Sequence, residues 1–283
     1  MNAEIRWGIV GPGRIAEKVV DDFAVVDGAR VTAVASRSST RAEDFARRHG
    51  VERAYGSYAE IYVATPHAQH AAIACAALRA GKSLLVEKAF TATAAGAVEV
   101  VDLARSRGVF VMEAMWTRFQ PAVVALRELI ADGAIGTVRS VQADLGVQRA
   151  FDPADRMFAL ELGGGALLDL GVYVVSFAQM LLGAPDTVAA AGSRFPTGVD
   201  AEASLLLGYE DGRSATLMTS LRNALPGQAR VFGTEGWVDV LPRFHHPQTI
   251  VLHRRDREPE PIVRPQLGAG YAHELIEVNT CLR

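Results

Sequence analysis

Two segments of the sequence place ionisable side chains in settings that favour chemistry. The first, Val86-Glu87-Lys88-Ala89-Phe90, follows a short apolar run, and the second begins with three glycines at Gly163 and ends at Tyr173. Within the second segment Asp169 and Tyr173 stand four residues apart, so on a helix they share one face. The glycines before them let a backbone or a ligand approach closely. The pattern indicates a site built from a lysine, an aspartate and a tyrosine.

A tyrosine phenol can remove the proton of a substrate hydroxyl while a hydride leaves the carbon that carries it. The ordinary pKa of tyrosine, about 10, is too high for this task, and lowering it to about 8 requires about 2.7 kcal/mol. One cation about 4 Å away supplies on the order of 4 kcal/mol at an effective dielectric constant of about 20. Lys88 would therefore suffice to activate Tyr173 and to stabilise alkoxide charge, while Asp169 would orient the substrate hydroxyl or the lysine.

Each of these residues also has a purely structural interpretation. Tyr173 would then be a core aromatic with its hydroxyl at the rim, and Asp169 a helix cap or an ion-pair partner. Lys88 would be a lysine at a sheet edge with no part in the reaction. The interpretations differ in one measurable way, because Lys88→Met and Tyr173→Phe should each lower kcat at least about a hundredfold only if the residues are catalytic.

The elements that must position this site begin with a repeated strand and helix pattern. The first 113 residues alternate short apolar runs with amphipathic stretches, which is typical of βαβ units around a parallel sheet. Between the first two runs Ile15, Val19 and Phe23 recur at helical spacing and predict a helix with one buried face. The runs are Ile5–Val10, Val31–Ala35, Ile61–Ala64, Ser83–Val86 and Val109–Met112.

The segment Gly11-Pro12-Gly13-Arg14-Ile15-Ala16 stands where the first strand ends and the first helix begins. Gly11 permits a tight turn, Gly13 lets the backbone approach a pyrophosphate, and the small Ala16 allows close packing of helix on sheet. The free N–H groups and the positive end of the helix dipole then face the phosphates. We therefore predict a Rossmann dinucleotide-binding domain over residues 1–113.

The choice of cofactor is predicted from the end of the second strand, which reads Ser36-Arg37-Ser38. An NAD-binding protein places Asp or Glu near this position, against the ribose 2′-hydroxyl. Here no carboxylate would repel a 2′-phosphate, and Arg37 can donate charge-assisted hydrogen bonds to it while stacking on adenine. The alternative is an arginine exposed on a loop. We predict NADP in preference to NAD.

Residues 114–283 follow a different pattern. Val141, Ala143, Leu145 and Val147 alternate with polar residues and predict a strand with one buried face. Residues 201–209 with 214–221, and 230–232 with 237–240, flank glycine-containing turns and predict antiparallel hairpins. We expect an α+β substrate domain whose sheet is covered by helices on one face, leaving the other for solvent or for a partner subunit.

Together, the motifs resemble the glucose-fructose oxidoreductase / inositol dehydrogenase / MocA family over nearly the whole chain. Residues 112–119 and 163–173 are most similar to its branch of dimeric dihydrodiol dehydrogenases and D-xylose 1-dehydrogenases. In this family the functional residues are a lysine in a Glu-Lys-Pro motif and an aspartate followed four residues later by His or Tyr, which match Lys88, Asp169 and Tyr173. The resemblance implies an open, mainly antiparallel sheet in the second domain, and a homodimer formed through that sheet.

The resemblance also implies supporting residues. It places Thr65, Pro66 and His67 under the nicotinamide ribose, although His67 and His70 have an alternative interpretation as packing or hydrogen-bonding residues. Trp116, Arg118 and Phe119 would line the substrate pocket, and the two aromatic residues among them are equally common in a core. The predicted cofactor contacts are Gly11, Gly13, Arg14, Ile15, Ser36, Arg37, Thr65, Pro66, His67, His70, Glu87 and Lys88.

Three departures from the family pattern affect these expectations. Ala89 follows Lys88 where the family usually has a proline after a cis peptide. Because a cis bond before a non-proline costs about 2.5–4 kcal/mol, we predict a trans bond unless the surrounding packing overrides that cost. The chain passes from Glu60 straight into the run Ile61–Ala64, a crossover too short for a full helix. Either a segment is missing there or the unit is truncated, and we favour the first. The chain also stops at Arg283, inside a predicted helix over residues 274–283, where relatives continue.

The composition excludes several classes of function. The 29 Lys and Arg against 32 Asp and Glu give a net charge of −3, which offers no basic field for nucleic acid or anionic lipid. No apolar run reaches the roughly 20 residues of a membrane span, and residues 1–9 lack the apolar stretch of a signal peptide. Cys75 and Cys281 occur in unrelated contexts, and His245 and His246 lack a carboxylate or cysteine at ligand spacing, so we expect no metal site. The protein should be cytoplasmic.

These observations predict an NADP-dependent oxidoreductase that transfers a hydride between nicotinamide and a small-molecule substrate, either a sugar such as xylose or glucose or a vicinal diol. Two alternatives remain. A non-catalytic NADP-binding regulator can use the same fold, because fold does not fix function. An NAD-dependent enzyme that cleaves glycosides by transient oxidation is the third interpretation.

Overall fold

The computed structural model describes residues 4–56 and 65–283. The chain forms two compact units, of which the first combines Met1–Met115 with Leu267–Arg283 and the second is Trp116–Gln266. We expected one boundary after residue 113 and a second domain that continues to residue 283. The last segment joins the first unit instead, because the buried carboxylate of Asp22 accepts hydrogen bonds from the backbone N–H groups of Ala269 (2.7 Å) and Ala272 (2.9 Å).

The first unit begins with parallel strands and helices in alternation. Strands β1 (Ile5–Val10), β2 (Ala29–Ala35) and β3 (Arg53–Tyr55) pair in the order β1-β2-β3, and β4 (Leu84–Glu87) pairs with β5 (Val111–Ala114). The helices are α1 (Arg14–Asp22), α2 (Ser39–His49), α3 (His67–Arg79) and α4 (Ala94–Arg107). The predicted Rossmann domain is thereby confirmed.

Four of the five predicted strands lie within the described residues and are present there, shifted by at most two residues at their starts. The predicted strand Ile61–Ala64 and the crossover after Glu60 lie outside the described residues. Strand β3 was not predicted, because three residues are too few to show an alternation. Helices α2 and α4 begin at side-chain caps, since Ser38 accepts from the N–H of Arg41 and Thr93 from that of Gly96.

The second unit is an eight-stranded sheet with the order β13-β12-β11-β10-β6-β9-β8-β7. All its neighbouring strands are antiparallel except β6 and β9, and both predicted hairpins are present. Its helices are α5 (Pro121–Ala131) and α6 (Val172–Leu182), and helix α7 (Ala272–Leu282) follows in the segment that belongs to the first unit. The strands are β6 (Val138–Gly146), β7 (Thr187–Arg194), β8 (Asp200–Gly208), β9 (Ser214–Ser220), β10 (Ala229–Gly233), β11 (Gly236–Val240), β12 (Thr249–Arg254) and β13 (Glu260–Val263).

The two faces of this sheet differ as the alternation in β6 predicts. Val141, Ala143 and Leu145 are buried, and α6 packs against β6 and β9 on that side. The strand register places Leu206 and Met218 on the opposite face, where their side chains are exposed. The sheet is therefore covered on one face and open on the other.

One stretch, Leu160–Leu182, is apolar enough to cross a membrane by length and composition, with a mean hydropathy of 1.7. The sequence prediction missed it because the three glycines from Gly163 interrupt the run. Half of this stretch is buried inside the fold, and Val174, Phe177 and Ala178 of α6 are at most 1% exposed. Its apolar character is that of a core helix.

Candidate functional site

The glycine turn after β1 has the geometry that a pyrophosphate site requires. Gly11 has a φ of +90°, a region that favours glycine, and its N–H donates to the carbonyl of Ala35 at 2.9 Å. Gly13 stands at the N-terminus of α1, where no side chain among the described residues caps the helix. Ala16 is fully buried, as close packing of helix on sheet demands. Arg14 is exposed and Ile15 is half-buried at the start of this helix.

A second arginine lies at the same edge of the sheet. The predicted cofactor residue Ser36 is buried and accepts from the N–H of Ser38 at 3.2 Å, while Arg37 beside it is exposed. Arg41, in the first turn of α2, donates from Nη2 to the carbonyl of Pro12 in the glycine turn at 3.3 Å. Arg41 was not among the predicted cofactor residues, although its place three residues after the helix cap Ser38 puts it on the same turn as Arg37.

The turn that carries Lys88 differs from our expectation. The Lys88–Ala89 peptide bond is cis, so the predicted trans bond is wrong. The prediction held only where packing does not override the cost of a cis bond, and here two histidines of α3 contact the carbonyl oxygens of Lys88 and Ala89. His67 Nε2 lies 3.2 Å from the carbonyl oxygen of Lys88, and His70 Nδ1 lies 2.9 Å from that of Ala89.

Two carboxylates accept hydrogen bonds from backbone N–H groups of the same turn. Glu87 Oε2 accepts from the N–H of Lys88 at 3.2 Å, and Glu113 Oε1, at the end of β5, accepts from the N–H of Phe90 at 2.9 Å. Glu87 is buried. Both the N–H groups and the carbonyl groups of the turn from Glu87 to Phe90 therefore have side-chain partners. Such contacts hold the backbone of Lys88 in place, as a functional side chain requires.

The histidines support their alternative interpretation. His67 is 4% exposed and His70 is fully buried, and His70 Nε2 also lies 2.7 Å from the carbonyl oxygen of Thr65, which is followed by Pro66 at the start of α3. Their ring nitrogens contact backbone carbonyl groups of the two segments that carry predicted cofactor residues. In these contacts the histidines hold the backbone of the segments that carry Lys88 and Thr65.

In the second unit Asp169 and Tyr173 stand on consecutive helical turns. Asp169 lies in a turn of π-helix, Leu167–Gly171, and Tyr173 in the first turn of α6. Asp169 Oδ1 pairs with Arg156 Nη2 at 3.2 Å, a partner that the sequence analysis missed. Arg156 is hard to infer from the sequence as a partner of Asp169, because it lies 13 positions earlier in a stretch without regular spacing.

Close packing fixes the glycines that precede this turn. A side chain at Gly164 would lie 2.5 Å from the carbonyl oxygen of Met157, and one at Gly165, where φ is +114°, would clash with the carboxylate of Asp200. That carboxylate accepts from the N–H of Leu167 at 2.6 Å and so satisfies a donor at the helix start. Gly164 and Gly165 therefore allow close contacts with the backbone of Met157 and the carboxylate of Asp200, just before the turn that holds Asp169.

Tyr173 lies among aromatic side chains. Its phenolic oxygen accepts a hydrogen bond from Trp116 Nε1 at 3.1 Å, and its ring centroid lies 5.0 Å from that of His245. His246 stacks on Trp116 with ring centroids 5.3 Å apart, and the carbonyl of His245 accepts from the hydroxyl of Thr117 at 2.7 Å. The two histidines were considered only as metal ligands from the sequence, and their ring contacts with Tyr173 and Trp116 were not predicted.

The other two predicted pocket residues lie on the 3₁₀ turn that follows Trp116. Arg118 donates to the side chains of Ser176 (3.0 Å) and Gln179 (2.6 Å) on α6, so it ties that helix to this turn. Phe119 is half-buried. Trp116 is thus the member of the predicted trio that the structure brings to Tyr173.

The predicted residues therefore form two groups. The glycine turn, the arginines and the Lys88 turn belong to the first unit, while Asp169, Tyr173 and Trp116 belong to the second. Convergence of Lys88 with Tyr173 stays a prediction. Among the described residues no group of three or more His, Cys, Asp or Glu side chains could hold a metal ion.

A buried acid that the sequence analysis missed lies in α7. Glu274 is 1% exposed, and its burial raises the pKa of the carboxyl well above the usual value, with Glu87, Asp22 and Glu113 raising it further. The amphipathic pattern of the helix gave no signal, because a glutamate in a first turn is usually an exposed residue. Glu274 connects α7 electrostatically with the Lys88 turn.

Comparison with known proteins identifies the family. Residues 5–115 match the family described as "Oxidoreductase family, NAD-binding Rossmann fold", and residues 123–239 match the "GFO/IDH/MocA C-terminal domain". The chain belongs to the Gfo/Idh/MocA family of oxidoreductases. The fold and the family inferred from the sequence are thereby confirmed.

Curated relatives and solved structures agree with this assignment. The trans-1,2-dihydrobenzene-1,2-diol dehydrogenases of Mus musculus and Homo sapiens are each 38% identical to this chain, over 99% of it and 88% of their own length. A 3-ketoreductase from Actinomadura kijaniata, crystallised with NADP and TDP-benzene, is 27% identical with a TM-score of 0.86 over 98% of this chain and 89% of its own. The aldose-aldose oxidoreductase from Caulobacter crescentus shares the fold, with a TM-score of 0.88 at 24% identity over 99% of this chain and 90% of its own.

The residues of the first unit fit the nicotinamide dinucleotide that the family implies. The positive φ of Gly11, the backbone N–H groups at the start of α1 and the buried Ala16 are the features that a bound pyrophosphate needs. Gly13 adds no side chain on the side of the helix N-terminus. These residues therefore fit the NAD-binding Rossmann fold that the family match describes.

Proposed function

We propose that the protein is an NADP-dependent oxidoreductase that transfers a hydride between the cofactor and a sugar or a vicinal diol. The observation that carries the proposal is the hydrogen bond from Trp116 to the phenolic oxygen of Tyr173. A donor aimed at this oxygen favours the phenolate, which is the form that can accept a proton from a hydroxyl. A protein that only bound the cofactor would have no use for such an arrangement.

The preference for NADP rests on the end of β2. Arg37 is exposed there and Arg41 contacts the glycine turn, so two guanidinium groups are available to a 2′-phosphate. Residues 36–38 carry no carboxylate that would bind a ribose 2′-hydroxyl. We expect kcat/KM with NADP to exceed that with NAD, and equal values would contradict the proposal.

In the proposed reaction Tyr173 takes the proton from the substrate hydroxyl. Lys88 hydrogen-bonds the same oxygen and stabilises negative charge on it, and Asp169, paired with Arg156, orients the hydroxyl or the lysine. The nicotinamide ring, when bound, supplies the acceptor for the hydride that leaves the carbinol carbon. In the reverse direction Tyr173 returns the proton to the oxygen of a carbonyl substrate.

The substrate class is proposed from the surroundings of Tyr173 and from the relatives. Trp116, His245 and His246 present flat rings beside the phenol, and such rings pack well against the apolar face of a sugar or a cyclic diol. The 38% identical relatives act, by their names, on a dihydrodiol. The 27% identical 3-ketoreductase acts, by its name, on a keto group, which is what oxidation of a secondary hydroxyl would form.

A turnover assay tests the proposed function. The purified protein is incubated with NADP⁺ and a panel of aldoses and dihydrodiols, and absorbance at about 340 nm reports reduction of the cofactor. We expect turnover with at least one member, and a loss of at least about a hundredfold in Lys88→Met and Tyr173→Phe. Tight binding of NADP without turnover of any member would indicate a regulator and refute the proposed function.

We also propose that the protein is a homodimer formed through the open face of its sheet. Leu206 and Met218 are 52% and 37% exposed on that face, and Trp237, 38% exposed, lies on it through the β10–β11 register. Apolar side chains of this size on one face favour a partner with the same surface. Light scattering should give twice the chain mass, and Leu206→Asp should give the single mass.

The compartment is proposed from the cysteines. Cys75 is buried and Cys281 exposed, both are thiols, and burial raises the pKa of the Cys75 thiol above its usual value. Unreactive, unpaired thiols suit a reducing compartment. We propose that the protein acts in the cytoplasm, and localisation of a tagged chain tests this.

A further inference from the structure

His70 has an unusual set of neighbours for a buried histidine. It lies in the first turn of α3 and is fully buried. Its Nδ1 is 2.9 Å from the carbonyl oxygen of Ala89, and its Nε2 is 2.7 Å from the carbonyl oxygen of Thr65. Both distances are those of hydrogen bonds, and both neighbours are oxygen atoms of the backbone.

A carbonyl oxygen can only accept a hydrogen bond, so each of these contacts needs a proton on the histidine. A neutral imidazole has one N–H donor and one nitrogen that is itself an acceptor. In either neutral tautomer one of the two contacts would set two lone pairs against each other. Only the imidazolium, which carries a proton on both nitrogens, can donate to Ala89 and Thr65 together.

We propose that His70 is held as an imidazolium and that it is a positioning residue for Lys88. Its two N–H groups tie the backbone before α3, at Thr65, to the turn that follows β4. Loss of one proton would leave one of these two segments without its donor. The role in catalysis rests on the proposed function, whereas the protonation state of His70 does not.

A buried cation is costly unless other charges balance it. The Lys88 turn supplies two carboxylates, because Glu87 accepts from the N–H of Lys88 and Glu113 from that of Phe90. The cation that opposes a charge on His70 is the ammonium of Lys88, and the imidazole of His67, whose ring centroid lies 5.5 Å from that of His70, is the other titratable group beside it. Two carboxylates and one ammonium give the turn a net charge of −1, which one further positive charge would neutralise.

The other elements that pack around this region contribute acidic groups. Helix α7 brings Glu274, which faces Glu87, Glu113 and Asp22. Helix α4 packs on α3, and its Glu99 lies 3.8 Å from Arg79 at the opposite end of α3 from His70. Because the raised pKa of Glu274 keeps that carboxyl protonated, the negative charge that favours a charged His70 comes from Glu87 and Glu113, and Glu99 of α4 is paired elsewhere.

Nuclear magnetic resonance of the full chain labelled with ¹⁵N-histidine tests the protonation state. At about pH 8, where an ordinary imidazole is neutral, we expect one histidine with protons on both ring nitrogens. Its signals should vanish in His70→Asn and persist in His49→Asn, which alters a partly buried histidine of α2 that is paired with Glu17. A His70 with a single ring proton at this pH would overturn the proposal.

The positioning role has its own measurement. In His70→Asn the shorter amide cannot reach both carbonyl oxygens, so the Lys88 turn loses one of its ties. We expect kcat to fall at least about tenfold, while the dissociation constant of NADP, measured by calorimetry, stays within about threefold. A histidine with a merely structural role would lower the melting temperature and leave kcat unchanged below it, and that outcome would overturn the positioning role.

Discussion

The ion pair of Arg156 with Asp169 offers a quantitative test of the site in the second unit. At 3.2 Å, two unit charges attract with about 5 kcal/mol at an effective dielectric constant of about 20. The side chain of Arg156 is 40% exposed and that of Asp169 is 14% exposed, so solvent screens much of this attraction. We therefore expect Arg156→Ala to cost about 1–2 kcal/mol in the transition state, which is about fivefold to thirtyfold in kcat/KM.

The assay compares three variants with the substrate that the panel identifies. Arg156→Lys should recover most of the lost kcat/KM. Arg156 contacts Asp169 through a single Nη2 atom, and an ammonium group can make such a contact as well as a guanidinium can. Arg149→Ala serves as the matched control, since Arg149 lies in the same loop and pairs with Asp155 at 3.9 Å instead of Asp169. If Arg156→Ala keeps kcat/KM within about twofold of the wild type, the pair does not position Asp169 and the reasoning is refuted.

Three further predictions concern other parts of the molecule. Glu274→Gln should raise the melting temperature, and more so at about pH 8 than at about pH 5. Because the pKa of Glu274 is raised in the folded chain, the folded chain keeps a proton that the unfolded chain releases above about pH 4.5. The wild type therefore loses stability as the pH rises from about 4.5 towards the raised pKa, and the glutamine variant does not. A gain that is constant or shrinks with pH would contradict this. Arg37→Ala should raise the KM for NADP at least about fivefold and leave the KM for NAD within about twofold, as it removes a partner of the 2′-phosphate, whereas Arg41→Ala should raise both because Arg41 also donates to the carbonyl of Pro12 in the glycine turn. Tyr173→Phe should bind NADP with unchanged affinity by calorimetry while kcat falls at least about a hundredfold, and weaker binding of the cofactor would assign the phenol to binding instead.

The parts of the fold that were predictable depend on short-range signals. The glycine turn from Gly11 to Ala16 could be inferred because the tight turn, the open helix start and the close packing each require a residue type within six positions. Strand β6 and the hairpins could be inferred because side chains on a strand alternate between faces. In both cases the residues that reveal the element are the residues that form it.

The parts that were missed depend on contacts between distant residues. The cis bond after Lys88 depends on His67 and His70, about twenty residues earlier, which no local reading of Ala89 reveals. The return of residues 267–283 to the first unit depends on the carboxylate of Asp22, 250 residues before Ala272. Buried polar groups find partners wherever the chain brings them, so such contacts set boundaries that composition does not show.

The candidate site shows the same division. Lys88, Asp169 and Tyr173 were predictable from residue type, spacing and family resemblance. Arg156 and the pair His245-His246 were not, because they lie on irregular segments and reach the site only through folding. Side chains of this kind carry no periodic signal, and their roles follow from the distances in the structure.

The central claim is that Tyr173 serves a direct transfer of hydride from substrate to NADP. The most direct measurement uses a substrate that carries deuterium on the carbon to be oxidised, followed by mass spectrometry and magnetic resonance of the reduced cofactor. We predict deuterium at C4 of the nicotinamide ring with the wild type, and labelled cofactor that forms at least about a hundredfold more slowly with Tyr173→Phe. Reduced cofactor without deuterium, or an equal rate of labelling with both proteins, would contradict the claim.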